Sequence, residues 1–338
     1  MRLTLCRATL ALLLALGAAC GYDATASVYA LPEGLWTASG TSGAILRLAP
    51  EQLDSTGDRT PATAITTPSA LLPDLVGVAF DRDGTMWVVS RDDSLLLAFA
   101  PGALAGSGAT PASTIIAPNA GSLSGPTSLA FDRSHRLWVA NFDNGTVVRF
   151  NRGQLATSGR PKPAIVLTGL GHPTAIAFDA AGGLWVSDIQ AQTVTGFPAS
   201  ELTTSGAPSS SVVLHRGADS LDTPTGIAFD ASGNLWVANI GNETLVAFTP
   251  AQLAAAGSPA PQVVLHTTGG ALTFPVAVAF DAEGSLWVLN RSGTLVKFAR
   301  AGLGTSGTPA TGARLIVSGY ARFWSVAFWP RPPGLPLN

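Results

Sequence analysis

One unit recurs along almost the whole chain, and its period limits the fold more than any other feature. Its clearest copy is Gly226–Phe248, reading GIAFDASGNLWVANIGNETLVAF. Aligned on a Phe, the copies fall at Phe80, Phe131, Phe178, Phe229, Phe280 and Phe328. Aligned on a Trp, they fall at Trp36, Trp87, Trp138, Trp185, Trp236 and Trp287, with spacings of 47 or 51 residues. A third marker, Leu-x-x-small-Gly, begins at Leu53, Leu104, Leu155, Leu202, Leu253 and Leu303. Three independent markers at a common period define a repeat architecture.

Each unit holds four short β-type runs parted by turn residues. In the best copy these are Gly226–Phe229, Leu235–Asn239, Thr244–Phe248 and Gln262–Leu265. Four strands at a period near fifty residues predict an all-β chain, a β-propeller of four-stranded antiparallel blades. The runs are nearly continuously apolar, as expected of blades covered on both faces. The first unit starts at its second strand, Gly34–Ala38, and the last is only a first strand, Ser325–Phe328. Joined, they complete one blade. Six blades follow, with the ring closed by pairing residues 325–328 with the N-terminal strands, so that no sheet edge is left open.

Small and large positions fit this picture. Ala precedes every marker Phe, where blades crowd towards an axis; Trp sits on the second strand, where they diverge. The turn between these strands reads Asp-x-x-Gly at Asp81, Asp179, Asp230 and Asp281, with His135 in the Gly position after Asp132. A short carboxylate serving the turn backbone, then a residue at positive φ, explains every copy better than a calcium loop at Asp81–Gly84 does. The third-to-fourth connection, such as residues 250–257, reads as one helical turn ended by Gly.

The ends of the chain divide as 1–19, 20–28, 29–330 and 331–338. Residues 1–19 carry Arg2 and Arg7, then the apolar run Leu10–Leu16, then small residues. That is a targeting segment, too short to remain as a spanning helix. Ending in Gly17-Ala18-Ala19-Cys20, it resembles a bacterial lipoprotein signal, which implies lipidation of Cys20. A plain secretory signal cut nearby is the other reading. Cys6 leaves with the signal, so Cys20 is the only cysteine of an exported chain and has no partner to form a disulfide. The expected location is the cell envelope, held to the membrane through a lipid anchor alone, or else secreted and soluble. Residues 20–28 would be a tether, 29–330 the propeller and 331–338 a tail.

Composition narrows the function. Charged residues are 12% and the net charge is −2, with no basic stripe to neutralise phosphates, so nucleic acid is not an expected partner. No Ser-His-Asp or Cys-His set and no phosphate-binding Gly loop can be argued from spacing.

The pattern Pro224-Thr225-Gly226-Ile227-Ala228-Phe229-Asp230, then Gly233–Asn239, Asn242 and Val246-x-Phe248, resembles the NHL repeat. It is also similar to repeats of streptogramin lyase-like proteins and of the gluconolactonase and strictosidine synthase group. The resemblance covers residues 29–330. It implies a ligand face on the side of the second-to-third and fourth-to-next-first loops. In lactonase-like members it implies Asn, Asp or Glu just ahead of the innermost strand as ligands of a divalent metal; in lyase-like members, His. Four residues before each marker Phe, this chain has Val76, Thr127, Thr174, Thr225, Val276 and Trp324. Neither set is visible.

Candidate channel-mouth residues are therefore Thr127, Thr174 and Thr225, with His172 in a loop on the same face. A polar ring ends the second strands: Ser39, Ser90, Asn141, Asp188, Asn239 and Asn290. Its alternatives are β-turn duty or a ligand face, in which Asp188 and neighbouring Asn oxygens could hold calcium. Phe274, Tyr320, Phe323 and Trp324 either line one sector of the mouth or pack the closure. No cofactor and no metal site is expected otherwise.

The sequence thus points to an exported binding or scaffold module, without catalysis, taking a protein, glycan or small molecule at one face. The alternative is a divergent lactonase- or lyase-like enzyme with its site near Asp188 and Asn239. Ring closure has its own test: a chain ending at Phe323 should melt many degrees lower or fail to fold. An unchanged cooperative melt would contradict closure.

Overall fold

The computed structural model describes residues 31–67, 74–217, 220–254, 257 and 259–335. Cys20, the signal segment and the tether lie outside them. Six sheets each carry four antiparallel strands, in sequence order from the axis outward in blades 2 to 6 and led by the C-terminal strand in blade 1, and two of the sheets gain a short parallel fifth strand. Blade 1 is Phe323–Trp329, Gly34–Ser39, Ala44–Leu48 and Thr63–Thr66. Blade 2 is Leu75–Phe80, Met86–Ser90, Leu95–Phe99 and Thr114–Ile116. Blade 3 is Pro126–Phe131, Leu137–Asn141, Thr146–Phe150 and Ile165–Leu167. Blade 4 is Pro173–Phe178, Leu184–Asp188, Thr193–Phe197 and Val212–His215. Blade 5 is Pro224–Phe229, Leu235–Asn239, Thr244–Phe248 and Val263–Leu265. Blade 6 is Pro275–Phe280, Leu286–Asn290, Thr294–Phe298 and Thr311–Val317.

Closure follows the sequence reading. Phe323–Trp329 pairs antiparallel with Gly34–Ser39, with Leu35 opposite Phe328 and Trp36 opposite Ala327. That last pairing recurs in every blade: Ala79, Ala130, Ala177, Ala228 and Ala279 each face the blade's own Trp across the first two strands. The small residue therefore leaves the room that an indole fills, which is a sharper reason for Ala than crowding at the axis. First strands begin earlier than the apolar run suggests. Blade 5 starts at Pro224, ahead of an irregularity between Pro224 and Ile227 that carries the strand past the bulge.

The core is not one body but six apolar layers, one between each pair of neighbouring blades. Five of the layers hold an edge-to-face pair between one blade's Trp and the next blade's Phe. These are Trp36–Phe80, Trp138–Phe178, Trp185–Phe229, Trp236–Phe280 and Trp287–Phe328, with centroids 5.9–6.4 Å apart.

The turn Asp does more than the sequence suggests. In blade 5, Asp230 Oδ1 accepts from the Ser232 and Asn234 amides at 2.8 and 2.9 Å. Its Oδ2 accepts the indole N–H of Trp236 at 3.2 Å. The same indole bond joins Trp87 to Asp81, Trp138 to Asp132, Trp185 to Asp179 and Trp287 to Asp281. Blade 1 has Trp329 where the others have Asp, and there the buried Nε1 of Trp36 has no partner. Gly233 at φ 79° and His135 at φ 56° occupy the positive-φ place in this turn.

The Gly of the third marker is not a helix cap. Gly57, Gly108, Gly159, Gly206, Gly257 and Gly307 each bridge, in parallel, the outermost strand of the preceding blade, at Leu315, Ile65, Ile116, Leu167, Leu214 and Leu265. The preceding hydroxyl often adds a bond, as when Ser158 Oγ accepts the Ile115 amide at 3.0 Å. The rim is thus laced blade to blade.

Asp230→Ala would strand two turn amides and an indole N–H. Chemical denaturation should show a loss of about 1–3 kcal/mol. A loss within error would mean that the Asp–indole bond does not hold the turn.

Candidate functional site

The six first strands surround one cavity of about 520 Å³ along the axis. Val76, Thr127, Thr174, Thr225, Val276 and Trp324 all line it. Three potential donors among them are already spent. The Thr127, Thr174 and Thr225 hydroxyls donate to the carbonyls of Pro173, Pro224 and Pro275, each in the next blade, at 3.0, 3.2 and 2.9 Å. Ser128 Oγ accepts the Ile176 amide and Ser325 Oγ the Val78 amide. These bonds stitch the first strands together and leave the wall to present mainly methyl groups. At the lower end Arg331, Pro332 and Leu335, from the C-terminal tail, line the floor with Arg82 and His135.

The polar ring sits at equivalent places around the upper face, and its polar atoms are turned into the loops. Asn141 is fully buried; its Nδ2 donates to the Ser122 carbonyl at 2.8 Å and its Oδ1 accepts the Ser124 amide at 3.1 Å. Asn239 does the same with Ser220 and Asp222, and Asn290 with Ala271 and Thr273. Asp188, 3% exposed, accepts four backbone N–H bonds, from Gly171, His172, Gln190 and Ala191, at 2.6–3.0 Å. Each clamps the incoming fourth-to-first loop against the second strand. Among the described residues, no three His, Cys, Asp or Glu side chains gather as a metal site.

Beside this ring lies a second one that the sequence reading passed over. The next residue in each blade is Gly40, Arg91, Phe142, Ile189, Ile240 or Arg291. Its amide donates to the carbonyl of Arg322, Asp74, Gly125, His172, Thr223 or Phe274 in turn, at 3.0–3.2 Å. Five of those acceptors have left-handed backbone: Asp74 (66°), Gly125 (55°), Thr223 (56°), Phe274 (49°) and Arg322 (59°). For Phe274, 55% exposed, that conformation is uncommon for a bulky side chain. One backbone frame, repeated six times, thus carries twelve positions around the mouth, and they hold Gly, Arg, Phe, Ile, Asp, His and Thr with no common type. The available signal was positional: these are the places where otherwise matching copies disagree.

His172 and Phe142 stack at 4.4 Å with their planes 10° apart, and His172 Nδ1–H donates to the Phe142 carbonyl at 2.8 Å. The Arg91 guanidinium lies 4.5 Å from the Phe142 ring centre, and that of Arg291 lies 4.8 Å from Trp324. Of the four aromatics considered for the mouth, Trp324 lines the cavity and Phe274 stands exposed, whereas Phe323 is fully buried and Tyr320 packs on the closure layer. His215 and His266 are exposed at outer strand ends. Asp74 is buried between blades 1 and 2 at the rim. Burial raises its pKa and Asp92 adds to this, while Arg91, Arg322 and Arg291 pull it back.

The sequence profile of the SMP-30/gluconolactonase/LRE-like region matches residues 69–274. The chain belongs to this family. Solved structures agree on the fold. Virginiamycin B lyase from Staphylococcus aureus superposes with a TM-score of 0.56 at 11% identity, covering 86% of both chains. A chain of a nidogen/laminin complex gives 0.62 at 16%, covering 88% of this chain and 98% of its own. A Bacteroides caccae protein of unknown function gives 0.60 at 12%, with the same coverages. No curated protein sequence matches. These structural neighbours include enzymes and binding proteins alike, and at these identities they share with this chain the fold alone.

Asp74 yields a pH prediction. The folded state holds its proton more tightly than the unfolded chain. Its contribution to stability is therefore lost as pH rises from the unfolded value, about 4, through the raised one. Asp74→Asn, which also suits left-handed backbone, should melt higher than the wild type at pH 7, with the gap closing towards pH 4. An equal or lower melting point at pH 7 would show that its charge is well compensated.

Proposed function

We propose that this SMP-30/gluconolactonase-like propeller binds a ligand at its channel without transforming it, and that it does so as an exported, lipid-anchored protein of the cell envelope. The observation that carries the reading is the set of six residues on the channel wall. Where lactonase- and lyase-like relatives are implied to place carboxylates, amides or His, this chain has two Val, three Thr and a Trp. The Thr hydroxyls are committed to Pro carbonyls. Such a donor set does not fit a divalent metal, which takes oxygen ligands in number and with charge.

The alternative, catalysis near Asp188 and Asn239, has to use groups already engaged with backbone. Asp188 would have to surrender four N–H partners before it could take a cation or a proton. Turn duty is the more economical account of the ring. The anchor reading rests on Gly17-Ala18-Ala19-Cys20 and on Cys20 being the only cysteine after the signal.

Native mass spectrometry and lactone hydrolysis on the purified chain test this together. The expected result is no stoichiometric calcium or zinc and no turnover. Bound metal or turnover that disappears in Asp188→Ala would establish the enzymatic alternative. For the anchor, Cys20→Ser should release the exported protein from the membrane; a variant that stays membrane-associated would contradict lipidation.

A further inference from the structure

Building on the binding reading, we propose that the channel takes an elongated apolar molecule with an acidic head, its tail in the cavity and its head at the Arg91 rim. Three observations converge on that chemistry. The first is the wall. Its strand residues include Val76, Leu129, Ile176, Ile227, Val276 and Val326, and its Thr hydroxyls are satisfied within the protein. An occupant with hydrogen-bonding groups along its length would find few partners there and would lose its hydration on entry. The volume of about 520 Å³ lies within the roughly 300–1,000 Å³ usual for sites that enclose small molecules.

The second observation is charge. The charged residues along the cavity are Arg82, Arg91 and Arg331 against Asp81 alone, a positive lining in a chain whose net charge is −2. Asp81 has little left to offer a ligand. Its Oδ1 accepts the Asp83 and Thr85 amides and its Oδ2 accepts the Trp87 indole N–H. Arg331 is held at the floor with its pKa lowered by burial.

The third observation orients the ligand. Asp81 and Arg82 lie at the floor, where Arg82 meets Asp83 at 3.4 Å, a carboxylate that Arg152 also takes at 2.7 Å, and the buried Arg331 holds its charge less readily than a free guanidinium. At the rim, Arg91 reaches Asp143 only at 4.0 Å, and its guanidinium carbon lies over the Phe142 ring, 4.5 Å from its centre, the ring itself being backed by His172. Arg291 and Arg322 stand close enough to act on the same buried Asp74 as Arg91 does. Among the described residues neither has an ion-pair partner within 4.0 Å. A preset planar guanidinium beside an apolar shaft is suited to a carboxylate, which it can meet with two N–H donors.

The test uses the full-length chain carrying Cys20→Ser and three probes of equal tail length: dodecanoate, dodecyltrimethylammonium and dodecanol. Binding is measured by titration calorimetry below the micelle-forming concentrations of the two ionic probes and below the solubility limit of dodecanol, with stoichiometry from native mass spectrometry. One dodecanoate should bind per chain, about tenfold or more tighter than either other probe, the effect of one charge-assisted contact. Arg91→Gln should remove that preference and leave dodecanol unchanged. Val276→Phe, which fills the shaft, should weaken all three.

Equal binding of the cation or the alcohol would overturn the inference. So would an Arg91→Gln chain that keeps full dodecanoate affinity. Arg91 stands on the rim and outside the inter-blade layers, so that variant decides the matter even if Val276→Phe does not fold. Lactone turnover would defeat the binding reading whatever these affinities are. Loss of dodecanoate selectivity without turnover defeats this inference alone.

Discussion

The packing of one blade against the next is the contact on which everything else rests. Each interface is a flat apolar layer with an indole at its widest part, and Ala opposite that indole within the sheet leaves it room. In five interfaces the indole meets the next blade's Phe edge-on, and in every blade but the first its one polar atom is met by the turn Asp. A buried N–H without that Asp would cost more than the bond itself is worth, which is why the turn and the layer are coupled. Rim bridges through Gly57 and its five equivalents, and hydroxyl bonds between first strands at the axis, then fix the outer and inner radii. Because the ring is closed, no layer ends at solvent.

Most of this was legible in the sequence for a physical reason. A residue set by blade geometry must be set six times, so it stands out from a single chain. Blade number, strand order and closure could be read from Trp36 to Phe328. What the pattern could not convey was partnership across the fold. Nothing in Asp-x-x-Gly says that the carboxylate also reaches the indole six residues on, on the next strand. Nothing in Leu-x-x-small-Gly distinguishes a helix cap from a bridge to the neighbouring blade, because both demand a small residue with a free backbone.

The mouth was less legible, for the converse reason. Asn141, Asp188, Asn239 and Asn290 attracted attention because they were polar and nearly repeated, and near-repetition is the mark of a shared structural task. In the fold each holds a loop. Their neighbours Gly40, Arg91, Phe142, Ile189, Ile240 and Arg291 share no common residue type and so show no pattern, yet the same six-fold backbone frame carries them to the rim. Only the three-dimensional frame makes Arg91, Phe142 and His172 a set. A propeller of this family can therefore keep its blades unchanged while its rim varies, and a likeness in fold carries no statement about what the rim holds.

The claim that the inter-blade indole layer holds the ring is tested most directly by equilibrium urea unfolding of Trp236→Ala. The account predicts a loss of about 3–5 kcal/mol in one cooperative transition, since the surrounding strands cannot close on the vacated volume. A loss under about 1 kcal/mol would contradict it, because a side chain removed so cheaply is not the one on which two blades are packed.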